Sequence, residues 1–195
     1  MDAQQLRAMI RRARAGSDEA YGQFLAAYGP RLYGYFYRAT GSAHEAEDLL
    51  GDLMLRLLRR LGDYDERGRF EPWLFRIAAN LVRDRIRRSR ARPPTASLEA
   101  EGPTRAGLAE TIRGRDRPVE AALAADEARA SLDAALRTLD ESSRQMVLLR
   151  HFAEMSFREI AEVFECPVGT VLAKVHRALK ALRAVMTEGK DDSVR

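Results

Sequence analysis

The chain has 195 residues, 33 Lys and Arg against 29 Asp and Glu, a net charge of +4, and 46% hydrophobic residues. This suits one domain or two small ones with packed cores, and no apolar run approaches the roughly 20 residues that cross a bilayer. Cys166 is the only cysteine, which excludes an intrachain disulfide and a thiolate zinc site and leaves core packing as its expected role.

The N-terminal stretch MDAQQLRAMIRRARAGS lacks the apolar core of a signal peptide. Its Arg content would suit a transit peptide, but Leu6, Met9, Ile10 and Ala13 fall at amphipathic spacing and predict a folded helix. A soluble, cytoplasmic protein without membrane insertion is expected. Ser17, followed by Asp18 and Glu19, opens a helix with Tyr21, Phe24, Leu25 and Tyr28 on one face. Gly29–Pro30 reads as a break or kink, after which Leu32, Tyr33 and Phe36 continue to a stop at Gly41. Ser42 and Glu45 have capping-box spacing and open a long helix bearing Ala46, Leu49, Leu50, Leu53, Leu57 and Leu61. The loop Gly62–Phe70 is polar except for Tyr64, and Pro72 starts a helix with Trp73, Ile77 and Leu81 at four-residue steps.

Arg92–Arg117 is rich in Pro, Gly and Thr, lacks periodicity, and reads as a flexible linker. Beyond it, Pro118 opens a helix with Leu132, Leu136 and Leu139, and Glu141–Phe152 forms the next. Ser156–Arg183 then reads as two helices around a turn at Cys166–Pro167. Ser156 and Glu159 form a capping box, and Ile160, Ala161 and Phe164 are the first helix's apolar face. Val171, Val175, Leu179 and Leu182 bury the second, leaving Thr170, Lys174, Arg177 and Lys180 outside. All six tyrosines and the tryptophan lie between Tyr21 and Trp73, so an aromatic-rich core precedes an aliphatic one. The expected fold is all-α, with two small helical domains. The expected division is residues 1–92 and 118–187 as domains, 93–117 as linker and 188–195 as tail.

Arg and Lys concentrate in Arg76–Arg92 and Lys174–Arg183, as for a polyanion touched in two places. Arg76, Asn80, Arg83 and Arg87 share one helix side, with Asp84 beside them. An Asn among arginines can read a base edge while the arginines hold phosphates. Just upstream, Tyr64, Phe70 and Trp73 surround a loop containing Arg67 and Arg69, a composition that stacks unpaired bases. The alternative is that Phe70 and Trp73 are core and the arginines merely solvated. On the long helix, Asp48, Asp52 and Arg56 recur every four residues among more leucines than one stripe needs. That suits docking on another protein's helices or, equally, an ordinary amphipathic helix with ion pairs. From Cys166 to Thr187 there is no acidic residue, as for a basic recognition helix, though a solvated helical hairpin would read similarly. His44, His151 and His176 lack metal-ligand or triad spacing, and no Gly-rich phosphate loop is present, so no cofactor, metal or catalytic residue is expected.

Three motifs in register resemble the extracytoplasmic-function branch of the sigma-70 family of bacterial transcription initiation factors. EDLLGDLMLRL is similar to its region 2.2 motif, RFEPWLFRIAANLVRDRIRR to the segment that follows, and SFREIAEVFECPVGTVLAKVHRALKALR to the region 4.2 helix-turn-helix. The resemblance implies a promoter-specificity subunit of RNA polymerase, and a stand-alone helix-turn-helix regulator is the other reading. It implies that Asp48, Asp52, Leu53, Arg56 and Leu57 bind the clamp helices of the polymerase β′ subunit. Tyr64, Arg67, Arg69, Phe70, Trp73, Arg76, Asn80, Arg83, Asp84 and Arg87 would engage the −10 element. Arg158, Thr170, Leu172, Ala173, Lys174, His176, Arg177 and Lys180 would meet the −35 element as duplex. Core polymerase, including its β subunit, promoter DNA and an anti-sigma factor are the implied partners. Five departures stand out: Gly51 for a common Gln, Leu172 and Ala173 for Lys and Ser, Glu165 for a turn Gly, and Asp140 for a Pro.

Overall fold

In the computed structural model, which describes residues 3–65, 68–91 and 119–191, the regular structure is helical throughout. The described residues form eight helices: α1 (Ala3–Arg14), α2 (Asp18–Thr40), α3 (Ala43–Arg60), α4 (Phe70–Ala91), α5 (Val119–Arg137), α6 (Glu141–Phe152), α7 (Phe157–Phe164) and α8 (Val168–Asp191). They fall into two compact units, α1–α4 and α5–α8. The expected linker, Arg67, Pro118 and residues 192–195 lie outside the described residues.

In the first unit, α2 packs against α1, α3 and α4, and α3 also packs against α4. Ser17 caps α2 by accepting from the Ala20 amide, and Gly41 ends it at φ 78°, where a β-carbon would be crowded. The helix is not broken at Pro30, which sits inside it. Phe24 and Tyr28 before the proline and Leu32, Tyr35 and Phe36 after it all face the core. Burying that shared face outweighs the roughly 3 kcal/mol that an interior proline costs. Ser42 caps α3, but the reciprocal half of the expected box is diverted: Glu45 Oε1 accepts from Arg85 Nε of α4 at 3.2 Å. The α3 residues Ala46, Leu49, Leu50, Leu53 and Leu57, followed by Leu61, are all buried.

Helix α4 begins at Phe70, two residues before Pro72. The proline stands in the first turn, where its missing amide has no intrahelical partner to lose. The buried face of α4 is wider than four-residue steps suggest, taking in Leu74, Phe75, Ala78, Ala79 and Val82 as well as Ile77 and Leu81.

In the second unit α8 is the shared partner of α5, α6 and α7. Its buried residues are Val171, Val175, Ala178 and Leu182. Leu179, expected in this stripe, is 42% exposed, because steps of four, three and four residues follow the helix more closely. Ser156 and Glu159 form the expected capping box on α7, with both reciprocal bonds made.

Candidate nucleic-acid interface

Helix α3 turns Asp48, Asp52, Leu55 and Leu58 outward. Leu53 and Leu57 do not join them, being 0% and 1% exposed, so this structure corrects their expected place on a docking surface. The outward leucines are instead Leu55 and Leu58, at 53% and 45% exposure. Their signal was present as the leucines left over once the stripe Ala46, Leu49, Leu50, Leu53, Leu57 and Leu61 is taken as the buried face. Charges tie this helix to α4. Arg85 meets Glu45 at 3.2 Å and Asp48 at 3.6 Å, while Arg56 lies 3.9 Å from Asp84. Asp84 also accepts from Arg87 at 3.0 Å, so the acid neighbouring the basic stripe belongs to a network crossing both helices.

The stripe on α4 is present. Arg76, Asn80 and Arg87 are exposed, and Arg83 and Asp84 half-buried. At the aromatic loop, Phe70 takes the alternative expected for it, a core position, while Tyr64 departs from a base-stacking surface. Phe70 is 1% exposed and touches Phe24, Tyr28, Tyr64 and Trp73, with ring centroids between 5.4 and 5.6 Å. Tyr64 is also buried, 4.5 Å from Trp73 between ring centroids. Phe70 is buried against α2 and Tyr64 against Phe70 and Trp73, so neither ring keeps a free face for a base. Trp73 is half-buried, and Arg69 is exposed. Sequence reasoning missed Arg14, whose Nε donates to the Leu61 carbonyl at 2.9 Å and whose Nη2 donates to that of Tyr64. One guanidinium thus satisfies carbonyls where α3 ends and the loop begins.

In the second unit, Arg158 on α7 and Thr170, Leu172, Ala173, His176, Arg177 and Lys180 on α8 are exposed. Leu172, at 46% exposure, is an apolar element within this basic face. The turn before α8 is closed by Glu165 in the left-handed conformation (φ 51°, ψ 45°), with the Cys166 amide donating to Ala161 at 3.1 Å. Upstream, Arg150 braces the approach to α7 by donating to the Met155 carbonyl at 2.9 Å and lying 5.4 Å from the Phe157 ring centroid.

Lys174 departs from the expected outward position. It is half-buried, and its ammonium donates to Ser142 Oγ and lies 3.6 Å from Asp140 Oδ1. Asp140 is the N-cap of α6, accepting from the Ser143 amide at 3.0 Å and the Ser142 hydroxyl at 2.6 Å. Slight burial pushes its carboxyl up, but those hydrogen bonds and the nearby Lys174 charge prevail and hold it well below the usual carboxylate range. Among the described residues there is no cluster of three or more potential metal-binding side chains, and no helix long and apolar enough to cross a membrane.

Residues 24–92 match the family described as Sigma-70 region 2, and residues 129–182 match Sigma-70, region 4. The extracytoplasmic-function (ECF) RNA polymerase sigma factor SigW of Bacillus subtilis is 30% identical over 177 residues, covering 89% of this chain and 92% of that protein. The RNA polymerase sigma factor CarQ of Myxococcus xanthus is 31% identical over 183 residues, covering 92% and 96%. Among solved structures, CnrH in complex with the cytosolic domain of CnrY aligns with a TM-score of 0.58 at 25% identity, over 93% of this chain and 97% of that one. Two family segments in one chain, in the same order as the two compact units, disfavour a stand-alone helix-turn-helix regulator. The chain belongs to the extracytoplasmic-function branch of the sigma-70 family and is an RNA polymerase sigma factor.

Proposed function

We propose that the outward faces of the two units divide the work of promoter recognition. The observation that carries this is the pair of exposed basic faces, one on α4 and one on α8, in separately packed units. Asp48, Asp52, Leu55 and Leu58 of α3, with Arg56, would dock on the β′ clamp helices. Leu53 and Leu57 hold that helix in place from inside. Arg76, Asn80, Arg83 and Arg87, with Arg67 and Arg69 of the loop and Trp73 beneath, would capture the −10 strand; Asp84 orients Arg87 within that face. Arg158, Thr170, Leu172, Ala173, His176, Arg177 and Lys180 would meet the −35 duplex, phosphates through the cations and base edges through the rest.

The division of the chain at 1–92, 93–117, 118–187 and 188–195 belongs to this reading, with the second unit and linker also meeting core polymerase through its β subunit. No chemistry by the protein itself is required. Trapped bases and polymerase contacts would offset the stacking lost on opening. Work on polymerase in the cytoplasm, without membrane insertion, follows from that role. An anti-sigma factor is the proposed regulator, as the family resemblance implies; the similarly folded sigma factor RpoE of Bartonella quintana was solved in complex with the anti-sigma factor NepR.

The test is transcription from genomic fragments by purified bacterial core polymerase with and without the chain. The expected result is initiation at defined promoters only when the chain is present. An unchanged pattern of start sites would sink the proposal.

A further inference from the structure

The recognition helix holds one cation that is already committed within the protein. Lys174 reaches across to α6, where Ser142 accepts its hydrogen bond and Asp140 supplies the counter-charge at 3.6 Å. Its neighbours on α8 differ. Lys180 and Arg177 are exposed, and the bond that Arg177 Nε makes to the Ala173 carbonyl at 3.2 Å stays on its own helix. We propose that Asp140 and Ser142 withhold Lys174 from DNA, making it a strut between α6 and the recognition helix and lowering −35 affinity by one phosphate contact. This rests on the reading of α8 as the −35 helix.

The electrostatics favour the arrangement. The amino end of α6 carries the partial positive charge of a helix N-terminus, which alone would repel an ammonium group. The Asp140 carboxylate reverses the sign there while also capping the helix. An uncharged residue at that position would leave Lys174 facing the helix dipole and free it toward solvent. The contact also commits an unbranched side chain to one geometry, which phosphate binding would have to undo. Asp140 thus links a capping position to the number of cations that α8 offers.

The slope of log affinity against log salt counts phosphate contacts, at about 0.9 for each cation on duplex DNA. The measurement uses the full chain with a short duplex carrying the upstream part of a promoter at which it directs initiation. Arg177→Gln and Lys180→Gln are expected to lower the slope by about 0.9 each, and Lys174→Gln to leave it unchanged. Asp140→Asn keeps a good capping side chain but removes the charge. It is expected to raise the slope by about 0.9, a further loss of about threefold in affinity between 50 and 200 mM salt. Combining Asp140→Asn with Lys174→Gln should restore the original slope, and circular dichroism would verify that each variant is folded.

A fall in slope for Lys174→Gln alone would show that the lysine already binds phosphate and would overturn the proposal. So would a gain from Asp140→Asn that survives in the double variant, since it would come from lost repulsion. If Arg177→Gln and Lys180→Gln also left the slope unmoved, the assignment of α8 to DNA would fall first, and the strut with it.

Discussion

At Glu165 the backbone adopts φ 51° and ψ 45°, a conformation in which a side chain's β-carbon crowds the following carbonyl. The cost is about 1–2 kcal/mol, and the αL turn that links α7 to α8 requires it at that position. Glu165→Gly removes the crowding at some cost in unfolded-chain entropy, so the second unit should gain up to about 1 kcal/mol in thermal or urea unfolding. Glu165→Ala retains the β-carbon and should bring no such gain. A stabilisation of similar size in both variants would point to the removed charge instead. The position was marked in the sequence only through the resemblance, in which Glu165 stands where the family commonly has a turn Gly. Glu154, at φ 51° just before α7, gave no such signal, since no residue pattern around it marks a turn.

On the scale of an element, α3 shows how a helix can be positioned well and still be weak. Its inward leucines are fully packed, yet Gly51 stands on the exposed side, where an added β-carbon would meet nothing within 4 Å. Gly51→Ala should therefore stabilise α3 by about 1 kcal/mol, raising the first unit's melting temperature by about 4–8 °C. A melting temperature unchanged by the substitution would mean that α3 gains its order almost wholly from packing. Helix starts were legible in sequence where a hydroxyl meets a nearby amide, as at Ser17, Ser42 and Ser156. The inward stripe of α3 was legible too, since Ala46, Leu49, Leu50, Leu53, Leu57 and Leu61 are all buried; it was the resemblance that drew Leu53 and Leu57 toward a docking surface. The burial of Phe70 stood as one of two open readings of the sequence, whereas that of Tyr64 had no signal there. The Phe70 ring is covered by Phe24 and Tyr28, which reach it only once α2 has folded across that site, and Tyr64 packs in turn on Phe70 and Trp73.

For the whole molecule, separate compact units imply separable energetics. Asn80 and Arg177 belong to different units, so their substitutions should act independently. Asn80→Ala is expected to impair opening at the −10 element and Arg177→Gln to weaken capture at −35. In the double variant the two losses in promoter occupancy should multiply, within about 0.5 kcal/mol of additivity. Quantitative footprinting of the assembled holoenzyme would measure this. A double variant no worse than the poorer single one would mean that both residues serve one step. The family and the two-part plan could be read from three motifs in order. The tie between Lys174 and Asp140 could not, because it joins residues of two helices whose angle no local pattern encodes.

Arg14 ends α1, outside the residues 24–92 that match the family, yet it holds the carbonyls of Leu61 and Tyr64 at the root of the loop. A protein lacking only the residues before 24 would keep every proposed contact residue and lose both anchors. Such a shortened protein would still seat on polymerase through α3, but with its strand-capturing loop untethered. Occupancy and opening would then part company, giving closed complexes that form normally and rarely mature. Under the proposed division of work, the first helix would then serve melting without any of its residues touching DNA.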